Sequence, residues 1–409
     1  MLTHRLPYPP DRGDRIRSYH LIRYLAERVD LALGCVSDEP IWLQHHHLLS
    51  TMARRVALYP ITRNSMRWRA ARAWLTGGAI TPACFYHSGL ADQLARWHEE
   101  EPFDAILTFC TGMCHYVGRL RRHKPKPFTG RHVLDLVDVD SAKWRSYAQQ
   151  AQLPMRWVYA TEARRLRRLE SGLAEPFDAV TVVSNAEAEA YRHEVRTDAN
   201  LIAMGNGVDM TYFTPLEDAS EPVICFVGVL NYRPNTEGIT WFVHNVMPRL
   251  IEREPRVRLL IVGRHPTAKV EELGQQPGVE VVGSVPDVRD YIRESAAVIA
   301  PLLLARGVQN KVLEAMACQR VAVCSAAAAE GLDATEGEHL LVAREPEEWV
   351  DSLCTLFSNP DRRRSIATAA RRCVEQRYSW DARLEPILDL LAPDANPHPP
   401  HATGLPASA

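Results

Sequence analysis

Only five of the 48 basic residues are lysine, no acidic residue occurs between Pro40 and Ala91, and no apolar run reaches the length of a membrane span, roughly 18–20 residues. The chain also lacks GxGxxG and GxxxxGK[ST], which argues against dinucleotide dehydrogenases and P-loop NTPases. The absence of a GxSxG elbow leaves hydrolase chemistry of that type unsupported. The opening "MLTHRLPYPPDRGD" has none of the basic-then-apolar order of a signal peptide, so a cytoplasmic location is expected. Nine cysteines, an odd number and several within apolar runs, read as buried free thiols in a reducing compartment. Cys110, Cys114 and His115 have a metal-like look, but no second ligand pair lies nearby in sequence, so they too read as buried thiols and a neighbour. The run His45, His46, His47 reads as surface.

What is present is an ordinary globular composition, 46% hydrophobic and 24% charged, over 409 residues, enough for two or three domains. Short β-branched runs alternate with helical patterns. In the first half the runs cover 29–36, 55–61, 105–110, 132–138, 179–184 and 201–207; in the second, 223–230, 257–263, 279–285, 297–304, 321–326 and 339–343. Such alternation predicts an α/β chain of two tandem Rossmann-like, doubly wound domains facing a cleft. Turn-formers and charges in "TPLEDASEP" (214–222) place the boundary, giving domains 1–215 and 216–378. A helix over 379–391 is expected to cross back to the first domain, and the Pro-rich tail 392–409 to be disordered.

Charge is uneven: residues 1–200 carry +6 and residues 201–409 carry −8, for a net −2. In the acid-free span Arg54, Arg55, Arg63, Arg67, Arg69 and Arg72 gather beside Trp68 and Trp74. They form either a solvated helix face or a basic, aromatic-edged patch for anionic lipid or an anionic acceptor. Nucleic acid is disfavoured, since the net charge is slightly negative and no binding motif is present.

In open parallel sheets ligands sit beyond the carboxyl ends of the strands, so the loops there carry the candidate residues. One loop holds Gly13 ahead of a helix starting near Asp14; a second holds Gly228 in "FVGVLNYRPNTEG"; a third is "RGVQNKVLEAMACQRVAV" (306–323). The third admits two readings. Gln309 or Asn310 caps a helix with Glu314 in its first turn, or the helix start with Lys311 beside it binds an anion such as phosphate. "DLVDVDSAKW" sets Asp138 and Asp140 at a strand end, where carboxylates bind metal, accept hydrogen bonds from a polyol or cap the next helix; hydrogen bonding or capping is favoured.

"FVGVL", "LLIVG", "VEVVGSVPDVRDYI", "NKVLEAMACQRVAV" and the junction "GNGVDMTYFTP" together resemble family 4 glycosyltransferases of the GT-B fold. From "PYPPDRGDRIRSYHL" to "ARGVQNKVLEAMA" the chain is more narrowly similar to sugar transferases of exopolysaccharide loci of the exosortase (PEP-CTERM) type. The resemblance implies a hexosyltransferase-type enzyme that moves a sugar, with retention, from a nucleotide diphosphate to a polysaccharide or lipid-linked acceptor at the inner membrane face. It assigns phosphate contacts to the Gly13 and Gly228 loops, Arg233, Arg306, Gln309, Asn310 and Lys311, ribose to Glu314, the base to the backbone at Val285, and the acceptor to Asp138 and Asp140. No metal cofactor is expected, because the leaving-group charge falls to cations and helix dipoles. The chain departs from the family pattern in three places: Arg306 stands where the first Glu of a Glu-x7-Glu pair is usual, Val229 and Pro234 replace an Arg and a Lys after the glycine strand, and "MLTHRLPYPP" leaves almost no first strand before the Gly13 loop. A sugar-nucleotide epimerase of the same fold and a non-catalytic scaffold are the alternatives, told apart by donor interconversion or by binding without turnover.

Overall fold

In both halves of the chain the inner strands are buried along nearly their whole length, as Val223–Val227 illustrates, while the strands at the sheet edges are only partly buried. That is the pattern of a parallel sheet covered on both faces. The computed structural model describes residues 1–10, 13–137, 139–173, 177–195, 200–215, 217, 219, 221–305 and 308–392. They form two units, the first Met1–Asn206 with Arg383–Ala409, the second Gly207–Ala382.

The first unit holds seven parallel strands: β1 (Leu2–Thr3), β2 (Ala32–Ser37), β3 (Arg55–Pro60), β4 (Ala105–Phe109), β5 (Arg131–Val137), β6 (Ala179–Val182) and β7 (Leu201–Ala203). Their order is β3-β2-β1-β4-β5-β6-β7, so the winding reverses between β1 and β4. The two-residue β1 is nonetheless central, pairing Leu2 with Gly34 on one side and Thr108 on the other. One apolar cluster joins Leu2, Val36 and Ile106 to Leu90, Tyr116 and Val117. Another joins Leu134, Leu136, Val180 and Val182 to Ala188 and Tyr191.

The second unit has β8 (Val223–Val227), β9 (Arg258–Val262), β10 (Val279–Gly283), β11 (Ala297–Ala300), β12 (Val321–Cys324) and β13 (Leu341–Val342). The order β10-β9-β8-β11-β12-β13 reverses between β8 and β11. Strand alternation divides its core in two: Ile224, Phe226, Leu259 and Ile261 face one cluster, and Cys225, Val227, Leu260 and Val262 face the other.

The division falls at Asn206/Gly207 rather than at the expected 215/216. Residues after Asn206 already pack in the second unit: Val208 N–H donates to Tyr378 O at 2.7 Å, and Arg371 Nη1 to Phe213 O at 2.6 Å. The turn-formers of 214–222 mark a loop within that packing. The chain rejoins the first unit within the Trp380–Leu391 helix, where Arg131 Nε donates to Leu390 O at 3.4 Å. The tail expected to be disordered lies outside the described residues from 393 onward. Among the described residues no helix is long and apolar enough to cross a membrane.

The histidine run divides. His46 and His47 are exposed, but His45 is buried and its Nδ1 accepts from Trp42 N–H at 3.3 Å. It sits one turn into the Leu43–Met52 helix and covers an amide that the helix leaves over. All nine cysteines are free thiols; Cys114 is buried, which pushes its thiol up, and Cys110 is half-buried.

Candidate functional site

At the winding reversal of the second unit, β8 runs into Gly228, which packs against the side-chain ends of Asn235 and Lys311. A Cβ on Gly228 would lie 2.8 Å from Asn235 Nδ2 and 3.2 Å from Lys311 Nζ. A Cβ on Gly263, at the end of β9, would stand 1.6 Å from the carbonyl oxygen of Gly228. The two bare backbones therefore touch, and Lys311 reaches the turn from the Asn310–Ala317 helix. Asn235 is 5% exposed and donates through Nδ2 to Val229 O at 2.9 Å, which directs its Oδ1 at Lys311 Nζ, 2.5 Å away. The ammonium also lies 4.5 Å above the Phe226 ring.

This is a spare environment for a cation. Burial lowers the Lys311 pKa to about 8, against the opposing pull of Glu314. One turn further along, burial raises Glu314 to about 7, partly offset by Lys311. Of the three donors an ammonium carries, one is met by a neutral amide. Gln309 takes the cap position of the helix, but its side chain makes no capping hydrogen bond, and Asn310 is exposed at the first position. The capping role read for these two residues is thus not filled, and an uncapped helix start beside a lysine that meets only a neutral amide suits an oxyanion.

The other residues read from sequence are placed as follows. Arg233 opens the Arg233–Asn245 helix, 85% exposed, and pairs with Glu237 one turn on at 2.8 Å. Val285 is half-buried at the edge of the second apolar cluster. Two residues on, Asp287 is gripped by Arg289 at 2.5 Å and by the Tyr212 hydroxyl at 3.1 Å, and hydrogen bonds from Arg289 hold its carboxyl down at about 2. Gly13 begins the Gly13–Ala26 helix of the first unit. Asp140 begins the Asp140–Gln150 helix and accepts from the Thr111 hydroxyl. Asp138 and Arg306 lie outside the described residues.

The reversal edge of the first unit holds groups that sequence reasoning missed. His4, just past β1, lies stacked 6.0 Å from Phe109 at the end of β4. Arg17 and Asp135, both 0% exposed, meet at 2.9 Å, and Arg17 Nη1 also donates to Asn206 Oδ1 at 3.0 Å. Arg5 pairs with Asp14 at 2.8 Å, and Arg15 with Glu39. Buried Glu170 accepts from Ser141 N–H at 3.1 Å and from its hydroxyl, and burial raises its carboxyl to about 7. Cys110 and Val137, at the ends of β4 and β5, adopt φ of 64° and 66°. For a β-branched residue that is a strained conformation costing about 1–3 kcal/mol, of the kind that clusters at functional loops. A usable signal existed for the ion pair. Asp135 interrupts an apolar strand, and Arg17 shares a helix face with Leu21 and Leu25, so each demanded a buried partner.

Among the described residues no three His, Cys, Asp or Glu side chains converge to hold a metal.

Residues 221–359 match the family model described as Glycosyl transferases group 1. Over 163 residues the chain is 24% identical to an uncharacterized 44.6 kDa protein in the cps region of Klebsiella pneumoniae, a match spanning 38% of this chain and 42% of that relative. Among solved structures it is similar to sucrose-phosphate synthase from Thermosynechococcus elongatus, with TM-score 0.59 and 17% identity over 95% of this chain and 97% of that one. It is also similar to Anabaena HepE in complex with UDP, with TM-score 0.60 and 14% identity over 96% and 99%. At such identities the likeness is one of fold.

Proposed function

We propose, on the premise that this chain has the GT-B fold and carries a glycosyl transferases group 1 domain over residues 221–359, that it transfers a sugar from a nucleotide diphosphate to a saccharide acceptor with retention at the anomeric carbon. The observation that carries this is the Lys311 ammonium at the bare Gly228 turn, paired with one neutral amide and set at an uncapped helix start. Breaking the glycosidic bond to a diphosphate develops negative charge on the leaving oxygens. Fixed amide donors and a cation already in place stabilise that charge without reorganising. Gly228 lets a phosphate approach the backbone, Lys311 meets its charge, and Glu314, once ionised, accepts from the ribose hydroxyls. The loop at Val285 is assigned to the base. Arg233 and Arg306 are assigned to the outer phosphate oxygens, and Asp138 and Asp140 to the acceptor hydroxyl. Anabaena HepE binds UDP, which makes UDP the first nucleotide to test. The relative in a cps region supports a role in extracellular polysaccharide assembly, in the cytoplasm, on a polysaccharide or lipid-linked acceptor. Transfer is assigned to protein cations and amides alone, so turnover should survive EDTA.

The test is calorimetric titration of UDP, GDP and dTDP and their sugars into the wild type and Lys311→Ala. One nucleotide should bind, and the variant should bind it about 1.5–3 kcal/mol more weakly, the scale of a charge-assisted hydrogen bond. Equal affinity in the two proteins removes Lys311 from the donor site.

A further inference from the structure

The acid-free span has no part in the donor chemistry, and the structure redraws it. Arg54 is tied to Asp30 and Glu101, and Arg55 to Glu100 and Glu101, so both are neutralised. Arg69 is half-buried, and Trp74 lies between Arg165, 4.6 Å from its ring, and Trp157, 5.3 Å away. What remains outward on the Arg63–Thr76 helix is Trp68, 77% exposed, and Leu75, 84% exposed. They are seven residues apart and so share one side, with exposed Arg67 and Arg72 flanking them.

The Met155–Leu173 helix is fastened to the end of that helix and to the segment after it, and carries exposed groups of the same kind. Arg165 donates to Trp74 O and Gly78 O at 3.0 Å each, and Glu162 accepts from Ile80 and Thr81 N–H at 2.9 Å. There Trp157 is 58% exposed beside exposed Arg156. The two carboxylates of this helix, Glu162 and Glu170, both turn inward, at 1% and 0% exposure. The outward surface of the two helices thus presents aromatic and aliphatic groups between arginines, with no exposed carboxylate among their described residues. None of Arg67, Arg72 and Arg156 forms an ion pair with a described residue.

We propose that this face docks on an anionic phospholipid bilayer, the arginines meeting headgroup phosphates while Trp68, Leu75 and Trp157 enter the interface. Charge complementarity selects the occupant. An acidic protein partner would meet the arginines equally well but gives no reason for exposed indoles and leucine among them, whereas the bilayer boundary has both a charged and an apolar layer. The assignment is independent of the donor site, since none of these residues belongs to it.

The full-length protein is sedimented with phosphatidylcholine vesicles and with vesicles carrying about 30 mol % phosphatidylglycerol, in about 0.05 M and about 0.5 M NaCl. The wild type should sediment with the anionic vesicles alone, and less at high salt. The triple variant Arg67→Gln, Arg72→Gln, Arg156→Gln, all at exposed positions, should partition on the order of 100-fold more weakly, at about fivefold for each arginine. Its melting curve and nucleotide affinity should match the wild type, which separates docking from folding and from donor binding. Brominated acyl chains should quench the wild type's tryptophan emission, with less quenching in Trp68→Phe, Trp157→Phe. Failure of the wild type to sediment with anionic vesicles at low salt overturns the proposal, with retention on heparin then assigning the face to a soluble polyanion. Sedimentation of the triple variant like the wild type overturns it as well.

Discussion

At the reversal edge of the first sheet Arg17 and Asp135 close on each other with no exposure, Arg5 closes on Asp14 and Arg15 on Glu39. At the corresponding edge of the second sheet a lysine meets one amide oxygen and an aromatic face, with its nearest carboxylate raised toward neutrality by burial. The two units share a winding order and differ in what meets their charges: carboxylates in the first, although Arg5 Nε and Arg17 Nη2 are buried without a hydrogen bond to a described residue, and a neutral amide in the second. In the first, charge is consumed in holding the loops. In the second it is left partly unanswered, at a cost to the ligand-free protein that an anion can relieve.

The contrast breaks most visibly at Arg17. Arg17→Ala strands a buried carboxylate and should cost about 3–5 kcal/mol, whereas Arg17→Met with Asp135→Leu should recover most of it. Urea titration monitored by a first-unit probe measures both, and a loss below about 1 kcal/mol for the single change would make that edge no lock at all.

Donor affinity comes next. Lys311 keeps its proton below about 8, so nucleotide binding should weaken about tenfold as pH rises from about 7.5 to about 9.5. A flat profile would mean that the lysine is not the group answering the phosphate.

A smaller effect, on stability, is expected at Glu314. Its folded pKa, about 7, lies above its ordinary 4.5. The folded state therefore holds the proton more tightly, and stability is lost as pH rises from 4.5 through about 7. Glu314→Gln cannot ionise, so the ligand-free variant should match the wild type near pH 4.5 and melt at a higher temperature than it at pH 8, while binding nucleotide more weakly. Thermal melts at the two pH values give the sign. Equal melting at pH 8 would show that the second edge carries no stored cost.

Smallest of all, the three arginine-to-glutamine changes on the Arg63–Thr76 and Met155–Leu173 helices should move unfolding by less than about 0.5 kcal/mol, as unpaired surface charges do.

Legibility in the sequence followed the same physics. Every apolar run read as a strand overlaps one, because inner parallel strands buried on both faces leave few alternating polar residues to obscure them. Most ends were overestimated, as in 223–230 against Val223–Val227, since the apolar residues continue into the turn. The unit boundary was displaced because polarity marks loops rather than ownership of loops. Gly228, Lys311 and Glu314 were each read from local context, and the structure brings Gly228 and Lys311 to one turn. Asn235, which aims the lysine, was unreadable: in "NYRPNTEG" it is one turn-former among several, and its function depends on a helix 76 residues away in sequence. Arg233, read as a phosphate ligand, opens its helix 85% exposed and pairs there with Glu237.

The return of the chain after Ala382 orders events during synthesis. All of the second unit, Gly207–Ala382, emerges from the ribosome ahead of the last piece of the first. That piece buries Leu384 and Ile387 completely. The inserted unit can thus fold on a nascent chain whose surrounding unit still lacks its final helix, and the first-made half is the last to be finished. A premature stop shortly after Ala382 would therefore spare the later-made unit and leave unsealed the one whose sheet was translated first.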